Sequence, residues 1–156
     1  MIHGDFKLTE SEAILRYIAN TWNPDLLGKT TADKSKVDML IGVFKDLKSG
    51  ITSGCYTAGT TKDDLKTKVL EGKCSEVSAY LSDHKFLVAD YTTLPDILLW
   101  EILDMFNWIS DNEITKKYPN LGEFHDRISA KFADYLKGDK FIAAPFNAPF
   151  AVVNNI

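Results

Sequence analysis

Cysteine is scarce: Cys55 and Cys74 are the only two in 156 residues. Two thiols cannot build a disulfide framework, and their scarcity fits a reducing, intracellular setting, so a cytoplasmic protein is the expectation. They do not form a Cys-x-x-Cys pair, and neither has the basic neighbours that mark a reactive thiolate. His3, His84 and His125 stand far apart, with no metal-ligand spacing to one another or to the cysteines, which argues against a metal centre. Charge of one sign is also missing. Eighteen basic against 22 acidic residues leave a net charge of −4, and the lysines are mixed with acids, as in "KDDLKTK", with no basic stripe carrying aromatics. Nucleic acid is not expected as a partner. No long apolar run is unbroken: "LPDILLWEILDMFNWI" carries Asp96, Glu101 and Asp104, so it reads as a buried helix and not a membrane span. A basic start followed by an apolar stretch and a small-residue cleavage site is absent as well, so these residues are not expected to carry a secretory signal. There is no phosphate loop, internal repeat or inter-domain linker.

What is present suits one compact unit, since an apolar share of 45% over this length supports a proper core. The opening "MIHGDFKL" reads as the end of a β-hairpin about Gly4-Asp5, with a first strand of about two residues. From Ser11 the spacing of Ala13, Ile14, Tyr17 and Ile18 predicts a helix that Asn23-Pro24 ends. In "TESE", Thr9 as N-cap and Glu12 reaching back would make a capping box. A second helix starts near Thr30, with Asp33 in its first turn and Val37, Leu40, Ile41, Phe44 and Leu47 on one face. Gly50 and Gly54 weaken its later turns. Leu65, Val69, Val77 and Leu81 predict one further amphipathic helix, and "HKFLVADYTT" a connector. Thr93 and Asp96 then form a capping-box variant ahead of a segment apolar nearly all round, which belongs in the middle of a bundle. The stretch "YPNLGEFHDRISAKFADYLKG" predicts a last long helix with Phe124, Ile128, Phe132 and Tyr135 inward, followed by a Pro-containing tail. The fold class is therefore mainly α, with a β remnant at the start.

The blocks "GDFKLTESEAILRYIA", "VDMLIGVFKD" followed by "CY", "TLPDILLWEILD" and "YPNLGEFHDRI", in that order, closely resemble the soluble glutathione transferases, most of all their mu class. The resemblance implies a thioredoxin-like domain that binds glutathione, an all-helical domain that supplies much of the electrophile pocket, and homodimers. On that comparison residues 1–22 are a remnant of the first domain, a hairpin end plus one helix, and residues 23–156 the whole helical domain. Such a chain is expected to be a truncated version of a longer subunit, or a piece that needs a covering partner.

The same resemblance implies site residues. Glu10 takes the ammonium of the γ-glutamyl group of glutathione, and Ser11 takes its carboxylate through hydroxyl and backbone N–H. The physics agrees, because a helix N-terminus favours an anion. The mu class usually carries glutamine at the position of Glu10. Asp46 matches an aspartate that reaches across the dimer to the neighbouring glutamyl ammonium, although an exposed acid between Lys45 and Lys48 needs no such role. Tyr56 matches the tyrosine that meets the electrophile, although a half-buried packing residue would look the same. Thr93 and Asp96 match a folding cap. No prosthetic group is implied, glutathione being a co-substrate. The tyrosine that activates the thiol in the mu class has no counterpart in these residues, so the chain by itself is expected to conjugate weakly or not at all. The alternative function is a non-catalytic scaffold or ligand-binding subunit.

Overall fold

The computed structural model describes residues 1–141; the tail beyond Phe141 lies outside the described residues. A two-stranded antiparallel hairpin opens the chain, β1 (Ile2–His3) pairing Ile2 with Lys7 and His3 with Phe6 of β2 (Phe6–Lys7). Gly4 turns it at φ +58°, a value glycine takes without penalty. Helix α1 (Ser11–Trp22) follows, and Pro24–Leu27 adds a short 3-10 turn that the sequence pattern did not announce. Then come α2 (Thr31–Cys55), α3 (Lys62–Glu71), α4 (Cys74–Leu81), α5 (Leu94–Ser110), α6 (Glu113–Lys117), α7 (Pro119–Lys131) and α8 (Ala133–Leu136).

Three Thr-x-x-Asp boxes start the main helices. Asp33 N–H donates to Thr30 Oγ1 at 3.1 Å while Thr30 N–H donates to Asp33 Oδ2 at 3.2 Å. Thr61 and Asp64 repeat the pattern at α3, and Asp96 Oδ2 accepts from Thr93 N–H at 2.7 Å at α5. Each box satisfies donors that a helix start leaves open. α5 is the hub, packing on α2, α3, α6 and α7, as its nearly all-round apolar sequence requires. Phe44, Phe106, Phe124, Leu99 and Ile109 are sealed in the core around it.

Three expectations need correction. The box at Thr9 and Glu12 does not form: Glu10 is the N-cap, which places Glu12 one position too early to reach back, and Glu12 instead pairs with Lys45 at 3.1 Å. The single helix across 62–81 is two, because Gly72 takes an extended conformation and passes so close to α3 that a Cβ there would lie 2.8 Å from the Lys68 carbonyl oxygen. The last long helix breaks at Phe132 (φ −104°, ψ 12°). That break turns Tyr135 off the inward stripe, leaving it 55% exposed, while Phe132 still packs 5.4 Å from the Trp100 ring.

Gly42 sits exposed inside α2 with nothing within 4 Å of where a Cβ would stand. Gly42→Ala should therefore raise the unfolding free energy by about 0.5–1 kcal/mol through lower chain entropy in the unfolded state, read from urea denaturation curves.

Candidate functional site

An apolar groove of about 450 Å³ runs between α1, α2 and α5. Residues at helical spacing face it from each side: Ser11, Glu12, Leu15 and Arg16 from α1, Ile41, Phe44, Lys45 and Lys48 from α2, and Leu94, Ile97, Leu98 and Glu101 from α5. Its floor is aliphatic and aromatic. Its rim is charged, with Lys45 tied to Glu12 and Lys48 tied to Glu101. Trp100 also borders it, its indole N–H donating to Ser129 Oγ at 2.8 Å and its ring stacked near His125.

Ser11 is exposed at the first position of α1, and Glu10 before it holds φ +65° with no cap hydrogen bond from its side chain. A helix start whose N-cap side chain does not close it leaves amide donors for an outside anion. The structure brings Ser11 to one edge of the groove and leaves the other expected site residues off it. Asp46 is exposed on the side of α2 toward α3 and α4, where it borders two smaller clefts with Leu47 and Lys73. Tyr56, 39% exposed, is the C-cap of α2, roughly 12 Å along the helix axis from Lys48 at 1.5 Å per residue. Lys45, Lys48 and Glu101 were not anticipated. The signal for the two lysines was present, since Ile41, Phe44, Lys45 and Lys48 share one face of α2.

Other chemistry is not supported. Burial pushes the Cys74 thiol up to about 11 and raises that of Cys55, so neither is a thiolate at neutral pH. Among the described residues no group of three or more histidines, cysteines and carboxylates could hold a metal ion, and no helix is long and apolar enough to cross a membrane.

Residues 45–139 match the model of the glutathione S-transferase C-terminal domain. Over 99% of its length the chain is 34% identical to Glutathione S-transferase 2 of Gallus gallus, of which it covers 70%. The chain belongs to the glutathione S-transferase family. Homo sapiens Glutathione S-transferase Mu 3 is 33% identical over the same share of this chain and is covered to 69%, so the likeness to the mu class holds. The crystal structure of glutathione S-transferase Blo t 8 superposes with a TM-score of 0.82 over 97% of this chain and 72% of that one, at 23% identity. At that identity the match speaks for the fold, a transferase helical domain preceded by a small thioredoxin-like remnant.

Proposed function

We propose that this chain holds glutathione by its γ-glutamyl end at Glu10 and Ser11 and belongs to a subunit that conjugates glutathione, as co-substrate, to apolar electrophiles in cytoplasmic detoxification. The observation that carries the reading is the start of α1: Ser11 stands at a helix N-terminus that Glu10 does not cap, at the edge of an apolar groove. An anionic carboxylate is favoured there by the helix dipole and the open amides, and Glu10 is a suitable partner for an ammonium. In this reading residues 1–22 are the remnant of the glutathione-binding domain and 23–156 the helical domain. Asp46 serves the glutamyl ammonium bound by the second subunit of a homodimer, and Tyr56 meets the electrophile. Conjugation by these residues alone is weak or absent, since the family's thiol-activating tyrosine has no counterpart among them.

Calorimetric titration of the chain with reduced glutathione tests the reading. Ser11→Ala should weaken binding about tenfold, the loss of one hydrogen bond to a charged group, with the circular dichroism spectrum unchanged. Equal affinity in the variant, or no binding by the parent chain at millimolar glutathione, overturns the reading.

A further inference from the structure

We propose that the cleft where α5, α6 and α7 meet binds a small zwitterion of the α-amino-acid type, a molecule that carries an ammonium and a carboxylate together. The cleft measures about 480 Å³, within the range of small-molecule sites, and its walls are polar where those of the groove beside α1 are apolar. Asn107 comes from the end of α5, Asn112, Thr115 and Lys116 from α6 and the turn before it, and Glu123 and Asp126 from α7. None of its residues belongs to the hairpin or α1, and it lies toward the other end of α5 from the groove, which takes Leu94 to Ile102. The inference therefore stands whether or not Ser11 binds glutathione.

The walls are fixed by contacts that need no ligand. Ile114 N–H donates to Ser110 Oγ at 3.2 Å, the Ile114 side chain is sealed in the core, and Lys66 holds Glu113 at 2.6 Å. Gly122 lets α7 pass close to α6, since a Cβ there would lie 3.3 Å from Thr115 Cβ. The His125 ring, stacked on Trp100, lines the α7 side. Within this frame the charges do not meet. Lys66 and Lys117 nearby have partners in Glu113 and the Leu70 carbonyl, whereas among the described residues neither Lys116 nor Glu123 has an ion pair or a side-chain hydrogen bond. Asp126 has only His125, at 3.7 Å. A simple anion in the cleft would meet the two carboxylates, and a simple cation would meet Lys116. A molecule bearing both charges suits all three, its carboxylate toward Lys116 and its ammonium toward Glu123 and Asp126. Thr115 Oγ1 donates to Asn107 Oδ1 at 2.9 Å, which leaves the Asn107 NH2 group and the Asn112 amide to hydrogen-bond a polar side chain of the ligand.

Proton–nitrogen correlation NMR of the full chain, titrated with L-glutamine to about 10 mM, tests the proposal. The backbone amides of Asn112, Thr115, Gly122 and Glu123 should shift in a saturable way while those around Ser11 stay in place. N-acetyl-L-glutamine, which lacks the ammonium, and L-glutaminamide, which lacks the carboxylate, should each bind at least about fivefold more weakly. Lys116→Gln and Glu123→Gln should each weaken L-glutamine by a similar factor, and Ser11→Ala should leave it unchanged. No saturable shift at the cleft up to that concentration, equal binding of the capped analogues, or equal binding by both variants overturns the proposal; the analogues decide on the unmodified chain even if a variant folds poorly. Absence of glutathione binding at Ser11 with the L-glutamine shifts intact would overturn the function proposed above and leave this inference standing.

Discussion

Replacing Asp96 by alanine should cost about 3–5 kcal/mol of folding stability, enough to leave a domain of this size partly unfolded at body temperature. Asp96 is fully buried and collects three donors: Leu87 N–H at 2.9 Å on one oxygen, and Thr93 N–H at 2.7 Å and Thr93 Oγ–H at 2.8 Å on the other. It thus starts the hub helix and ties down the connector from α4. Alanine orphans two buried backbone N–H groups, each of which loses its water without a replacement. Asn is a partial remedy only, because its carbonyl can serve one of the two N–H groups while its amide meets the other as a second donor. Urea denaturation followed by the fluorescence of Trp100 and Trp108 measures both variants. Burial, outweighing these donors, raises the Asp96 carboxyl above its ordinary 3.8. The folded chain therefore keeps this proton at a pH where the unfolded chain has lost it. The resulting stability is complete below about 3.8 and is lost as pH climbs through the raised folded value. The stability difference between the natural chain and Asp96→Asn should accordingly shrink as pH rises through that window.

Gly28→Ala is expected to cost about 2–4 kcal/mol by a different route. Gly28 holds φ +93°, where a side chain is strained, and a Cβ there would lie 2.7 Å from the Lys34 backbone nitrogen and 2.8 Å from Asp33. Neither neighbour can retreat, because both belong to the first turn of α2, whose box at Thr30 and Asp33 is already closed. The chain between the 3-10 turn and α2 must then reopen. The same denaturation assay reads the loss, and Gly42→Ala serves as a control that adds the identical methyl group where there is room for it.

Sequence patterns carried the large elements because their signals are local and redundant. Thr93 with Asp96, an apolar run too dense for a surface helix, and the stripe from Val37 to Leu47 each state their own structure. The breaks were less legible. Gly72 can sit inside a helix or end one, and only the close passage over Lys68 decides; Phe132 looks like a continuing inward position until the last turn rotates. α6 is five residues long, shorter than the window in which periodicity can be counted. The candidate site was legible in part. Ser11 at a helix start is a one-residue reading that needs no tertiary information. The groove depends on which faces of α1, α2 and α5 meet, a fact no single segment contains. Lys45 and Lys48 looked like solvated charges and became its rim, and Asp46 between them points to a different cleft.

The distribution of the core along the chain has a consequence for how the protein is made. The main core cluster begins in α2 and is completed only by Leu121, Phe124 and Ile128 of α7, about 100 residues after α1 ends. At a synthesis rate of about 5–20 residues per second, α1 leaves the ribosome some 5–20 s before the last wall of the interior exists. During that interval Leu15, the α1 side chain packed at the margin of that core, has no bundle to lie against. Glu12 and Arg16, on the same helix, likewise wait for Lys45 and Asp38 of α2 before the ion pairs of the finished molecule can close.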